Sequence, residues 1–217
     1  NNTVSGDDVF LMHHIKHKYT DGIAFAKEKD VIVETSSQPN ISAFINKIAR
    51  IPSPPNANNI YSNKHSLNRI RRNNLQIYLE NMSILKPVTI LVGEAPGYQG
   101  CRLSGIPFTS EYIILNGLPG CEIFGNRIGY AKSDEYDRIK KEPSATIVWN
   151  TLINYHPLPL IWSAYPFHPY KPGNPNSNRK PRKDEMEIGL PILEEIINLF
   201  TIKEFIAIGN TAAEQLS

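Results

Sequence analysis

Apolar residues recur along the chain at two periods. Ile41, Phe44, Ile45 and Ile48 fall at helical spacing and predict a helix over 41–50. Ile51-Pro52-Ser53-Pro54-Pro55 then breaks the pattern. A second helix is predicted over 66–80, with Leu67, Ile70, Leu75, Tyr78 and Leu79 as its apolar stripe and the neighbouring arginines outside that stripe. Continuous apolar runs at Val88–Val92 and Leu160–Ala164 read as buried strands, and Phe205–Ile208 as the third parallel strand. Between them, a helix over 143–153 opens on Pro143. Another starts at the Asp184/Glu187 capping-box spacing and runs to Phe200, with a bend expected near Pro191. Gly209-Asn210 reads as a turn before a last helix, Thr211–Leu216. Strands alternating with helices predict the α/β class, with a parallel sheet and right-handed crossovers.

Residues 1–38 carry mixed signals, with a short apolar run at Val9–Met12 and a strand candidate at Val31–Val33. They are read as an N-terminal extension of unknown role, and 39–217 as one α/β domain. His13, His14 and His17 lie close together, but only His13 and His17 share a helix face, and no Cys or carboxylate completes a metal spacing. No metal is expected.

Hydrophobic content of 41% supports a buried core and excludes a disordered chain, while 17 prolines point to extensive loops. No apolar run reaches the roughly 18 residues of a membrane-spanning helix, and no signal-peptide pattern opens the chain. Cys101 and Cys121 do not make a disulfide scaffold, so a reducing, cytoplasmic setting is the expectation. The net charge is only +2, yet the cations cluster. Lys64, Arg69, Arg71 and Arg72 form one knot, and Lys171, Arg179, Lys180, Arg182 and Lys183 another, each able to meet phosphates or to be a solvated face. The chain neither begins with Met nor closes its last predicted helix before Ser217, which reads as an incomplete protein.

The most informative block follows the first predicted strand of the domain. Gly93-Glu94-Ala95-Pro96-Gly97, then Tyr98 and Gly100, lead to Gly105-Ile106-Pro107-Phe108-Thr109-Ser110. A Gly- and Pro-rich loop there sits at the carboxyl end of a parallel sheet, where open α/β folds bind ligands. Neither a phosphate-binding loop ending in Lys-Ser/Thr nor a dinucleotide fingerprint is present, which weakens a nucleotide-binding reading. The block resembles the uracil-DNA glycosylase superfamily, in particular the branch whose first motif reads Gly-Glu-Ala-Pro-Gly. The likeness spans about 66–216 and is strongest over 88–111.

The resemblance implies a three-layer α/β/α fold with a short, mostly parallel central sheet. It also implies a monofunctional hydrolase that cuts the N-glycosidic bond of a flipped-out uracil or related altered base in DNA. No lysine stands in the motifs to form a Schiff base, so water is the nucleophile. Phe108 would stack on the everted base, and Gly93, Ala95, Pro96, Gly97 and Tyr98 would line its slot. Ala95 stands where the better-known branch carries a water-orienting Asp. Glu94, the only carboxylate in the core of the motif, either orients water, contacts the base or braces the loop. Gly97 replaces a blocking tyrosine and leaves room near C5 of a pyrimidine, a gap that Tyr98 could close.

Leu160 to Pro169 resembles the segment that carries a uracil-reading Asn; Ser163 stands in that place and cannot make the same two-point contact. The base is then read differently, specificity is relaxed, or this copy is altered. Ser110, His168, Lys171 and Arg179 are the candidates for DNA contact, with a structural role open for His168. The resemblance also implies a His-Pro-Ser-type motif after one more strand; the sequence ends before it, so the domain is expected to lack its last strand. Two cysteines cannot hold the four-cysteine iron–sulfur cluster of one branch, so no cofactor is expected. DNA, single- or double-stranded, is the expected partner, with no membrane, and the protein is expected to be a monomer. A glycosylase for a modified pyrimidine, for example in defence against foreign DNA, and an inactive DNA-binding module remain the alternatives.

Overall fold

The computed structural model describes residues 39–217. The readings made for 1–38, including the Val31–Val33 strand and His13, His14 and His17, lie outside the described residues. Among those described, no helix is long and apolar enough to cross a membrane.

Helix α1 (Ile41–Arg50) matches the predicted limits, because Asn40 caps it by accepting from the Ala43 amide at 3.0 Å and the prolines after Ile51 stop it. Strand β1 (Ala57–Asn58) follows. Helix α2 (Asn68–Leu85) outruns its predicted end by more than a turn and closes on Lys86 in the left-handed region. Its buried face is Leu75, Tyr78, Leu79 and Met82, extended by Asn68, Arg71 and Asn74. Arg71 is therefore inside, only 2% exposed, against the expectation that the arginines lie off the buried stripe.

Strand β2 (Thr89–Gly93) leads into two short helices the sequence did not announce, α3 (Cys101–Ser104) and α4 (Glu111–Asn116). Helix α5 (Pro143–Leu152) starts under Glu142, which accepts from the Ser144 and Ala145 amides at 3.2 and 2.7 Å. Strand β3 (Leu160–Ser163) is wholly buried, and β4 (His168–Pro169) pairs antiparallel with β1. Helix α6 (Lys183–Phe200) runs unbroken through Pro191. Glu185, not Glu187, secures its start: the Arg182 amide donates to Glu185 Oε2 at 2.8 Å. Strand β5 (Glu204–Ala207) and helix α7 (Asn210–Leu216) complete the described chain.

The central sheet has the order β3-β2-β5, all parallel, with Gly93 opposite Ser163 and Val92 opposite both Trp162 and Ala207. This is the short parallel sheet of a three-layer α/β/α fold. Paired residues share a sheet face and successive ones alternate. Trp162 meets Phe44 of α1, ring centroids 5.6 Å apart, on the face it shares with Val92. Gly93 and Ser163 consequently point to the opposite face, where the site lies.

Candidate functional site

The turn after β2 is zipped to the turn after β3. The Ala164 amide donates to the Gly93 carbonyl at 2.8 Å and the Tyr165 amide to the Glu94 carbonyl at 3.0 Å. Phe108 arrives over Gly93 from the far end of the motif. A Cβ on Gly93 would stand 2.1 Å from Phe108 Cε2 and 2.3 Å from Cζ, so the ring takes the space that any side chain would fill. The ring is half-buried and packs against the core.

Phe108 itself has φ 48°, a left-handed conformation that costs a non-glycine residue about 1–2 kcal/mol. Such strain persists only where the surroundings impose it. Here they do. The indole N–H of Trp149 donates to the Phe108 carbonyl at 3.0 Å and to Thr109 Oγ1 at 3.2 Å. Ser104 Oγ reaches the Thr109 carbonyl at 2.9 Å. Ser110 caps α4 by accepting from the Ile113 amide at 3.4 Å and is buried.

Glu94 is partly buried, and its Oε2 accepts from Thr211 Oγ1 at 2.6 Å. Thr211, in the first turn of α7, was not singled out from the sequence. Only a tertiary crossing from β5 back over β2 brings it there.

The remainder of the turn is gripped from the 170–178 loop. Tyr98 donates its amide to Asn178 Oδ1 at 2.9 Å, and its carbonyl accepts from Arg102 Nε at 3.1 Å. Ala95, Gly97 and Tyr98 are half-buried, Pro96 and Ser163 buried. The structure thus brings Gly93, Glu94, Ala95, Pro96, Gly97, Tyr98, Phe108 and Ser163 into one region.

The candidates for DNA contact separate. Lys171 is exposed. Ser110 is spent on the helix cap. Arg179 forks onto Glu185, with two contacts of 2.6 Å, and also donates to the Tyr170 and Asn56 carbonyls. That places it as a fastener of the loop. His168 is 0% exposed, with Nδ1 2.7 Å from the Pro96 carbonyl and Nε2 3.1 Å from the Pro175 carbonyl. Sealed from the surface, it ties the Pro96 turn to the 170–178 loop.

In the neutral ring one nitrogen donates to its carbonyl and the other turns its lone pair toward a carbonyl oxygen. Burial pushes the imidazole pKa below its ordinary value; the two carbonyls pull it back only in part, and Arg102 and Arg179 lower it further. The unfolded chain therefore takes up this proton first as pH falls. Its contribution to stability is complete above about pH 6.5 and is lost as pH drops through the depressed folded value. Thermal unfolding of the wild type should show a fall in midpoint below that pH that His168→Gln does not show.

Behind the turn lies a buried ionic cluster. Glu135 holds Arg71 through Oε1 and Arg102 through Oε2, the latter at 2.6 Å. Burial pushes the Glu135 carboxyl up, but the two guanidiniums outweigh it and hold the group below its usual range. Among the described residues, no group of three or more His, Cys, Asp or Glu is placed to hold a metal. Two open cavities lie away from the turn, one of about 640 Å³ beside Leu118 and Arg127 and one of about 370 Å³ between Leu193 and Leu216.

No family model matches the chain, and no curated protein matches it. A solved structure does. The crystal structure of wild-type SMUG2 from Pedobacter heparinus aligns with a TM-score of 0.51 over 81% of this chain and 78% of that one, at 15% sequence identity. That likeness shows the fold, the same three-layer arrangement around a short parallel sheet.

Proposed function

We propose that the chain is a monofunctional DNA glycosylase whose slot, at the carboxyl end of β2, accepts a base everted from DNA. The observation that carries this reading is the Phe108 ring held over Gly93 in a strained conformation, at the place where α/β sheets bind ligands. An aromatic face offers stacking to any base. The fold shared with SMUG2 and the resemblance of the Gly93–Ser110 block to the glycosylase superfamily support it.

In the reaction, water adds to C1′ of the deoxyribose, and the base leaves with the electron pair of the broken C–N bond. Glu94 is the residue proposed to orient that water. Thr211 occupies its Oε2 and so sets the direction of Oε1. Backbone amides of the turn would meet the charge that grows on the departing base. Uracil is the proposed substrate. Gly97 and Ser163 extend the reading to a modified pyrimidine, since neither blocks C5 nor demands the uracil edge.

Oligonucleotides carrying uracil, 5-modified pyrimidines or deaminated purines test this directly. The wild type should release one of these bases, and Phe108→Ala should slow that release about 10- to 100-fold, the equivalent of roughly 1–3 kcal/mol of stacking. Full turnover in that variant would assign the ring to the core alone. The second reading, a binding module without chemistry, is favoured by Ala95 and Ser163, which lack the groups expected there. Binding of an altered-base duplex without release of any base would establish it.

A further inference from the structure

The segment 132–142 joins the candidate site from a side that no motif marks. Glu111, 1% exposed in the first turn of α4, fastens it. Its Oε1 accepts from the Ser133 amide at 2.9 Å and the Ser133 hydroxyl at 2.7 Å, and its Oε2 from the Lys140 amide at 3.2 Å. The Lys140 carbonyl in turn accepts from the Tyr112 amide at 3.1 Å. One buried carboxylate, three residues past Phe108, thus pins both ends of the segment to the helix that the Phe108 turn starts. The segment also borders the Gly97–Gly100 turn: a Cβ on Gly100 would stand 2.9 Å from Glu142 Cγ. On its other flank, Tyr136 donates its hydroxyl to Asn176 Oδ1 at 3.0 Å, in the loop that holds His168 and Asn178.

We infer that residues 138–141 form a second phosphate-contact flank that grips the backbone of duplex DNA beside the slot. This rests on the reading of the slot given above. Arg138 and Lys141 are exposed and Lys140 half-buried, while Asp134 and Asp137 precede them, which confines positive charge to this short stretch. The two ammoniums are posed in advance. Lys140 Nζ lies 4.5 Å from the Tyr136 ring centre and Lys141 Nζ 4.0 Å from that of Tyr112. Both rings are covered by a cation, so they are poor platforms for stacking unpaired bases. That favours a phosphate backbone over single-stranded bases as the ligand. Across the turn, exposed Lys171 and Lys180 offer charge on the opposite loop. A duplex laid across the two loops, which Tyr136 and Asn176 join, would present its backbone to both.

The test is duplex binding by the full chain, read by fluorescence anisotropy across a salt series. It uses an unmodified duplex, so it does not depend on base release. Arg138→Gln, Lys140→Gln and Lys141→Gln together should weaken binding about tenfold or more and reduce the slope of log K against log salt by roughly 2–3, about 0.9 for each phosphate that is no longer neutralised. Glu111 holds the segment through backbone amides and Ser133, so these substitutions leave its anchors in place, and an unchanged unfolding midpoint verifies that. Lys86→Gln with Lys203→Gln, both exposed at the opposite end of the sheet, should change neither quantity. An unchanged slope in the triple variant, or an equal loss in the control pair, overturns the inference and leaves the slot reading standing. A wild type that binds no duplex at about 50 mM salt, where phosphate contacts are strong, overturns both.

Discussion

Glu135→Ala should unfold at a far lower denaturant concentration than the wild type, with a loss of about 3–5 kcal/mol. Its carboxylate is the shared partner of Arg71 and Arg102, whose side chains are 2% and 6% exposed. Removing it leaves two guanidiniums inside the protein without their counter-charge. Each would keep some neutral partners: Arg71 has Asn68 Oδ1 at 2.5 Å, and Arg102 has the Tyr98 carbonyl, the Tyr136 hydroxyl and Asn176. Those bonds offset part of the cost, which is why the loss is bounded. Glu135→Gln restores an acceptor and a shape match but no charge, so it should fall between the two. Because Arg102 also holds the Tyr98 carbonyl, the alanine variant should loosen the Gly97–Gly100 turn. Faster hydrogen exchange there than across β2 would show that coupling. A Glu135→Ala protein as stable as the wild type would mean that water replaces the carboxylate without penalty.

Gly93→Ala is expected to disable the slot. The added methyl overlaps the edge of the Phe108 ring at 2.1 Å, well inside any real contact. Ser104 holds the Ile106 and Thr109 carbonyls and Trp149 the Phe108 carbonyl, so the backbone stays in place and the ring must turn about its own side-chain bonds, away from its seat over the slot. Overpacking of this kind costs about 1–3 kcal/mol, or roughly 2–12 °C in unfolding midpoint for a domain of this size. Base release should fall at least as far as in Phe108→Ala. The double variant, Gly93→Ala with Phe108→Ala, relieves the overlap and should recover stability but not release. Recovery of both would place the aromatic ring outside the chemistry.

The three parallel strands and most long helices were legible from apolar pattern, since each of those strands carries a continuous apolar run next to turn residues; β2 and β3 are buried, while β5 is only half-buried. The grouping of Gly93 with Phe108 was legible only through the motif, because no periodicity joins residues fifteen apart. What stayed hidden depends on tertiary burial. Arg179 and Ser110 are polar loop residues and His168 sits in the two-residue strand β4, and sequence gives no sign whether such a residue faces water or seals a turn. Arg71 is a partial exception. Asn68, Arg71, Asn74 and Tyr78 repeat every three or four residues, so the buried face of α2 continues in polar residues where an apolar count stops. Thr211 and Glu111 could not have been found from spacing, as each acts on a partner across the fold.

The bond from Trp149 to the Phe108 carbonyl has a practical outcome. The chain contains two tryptophans. The indole N–H of Trp162 is buried and meets no acceptor among the described residues, whereas that of Trp149 is tied directly to the strained turn. Displacing that turn would alter the hydrogen bonding of one indole and spare the other. The protein's own ultraviolet emission therefore carries a built-in optical gauge of whether the aromatic lid is seated.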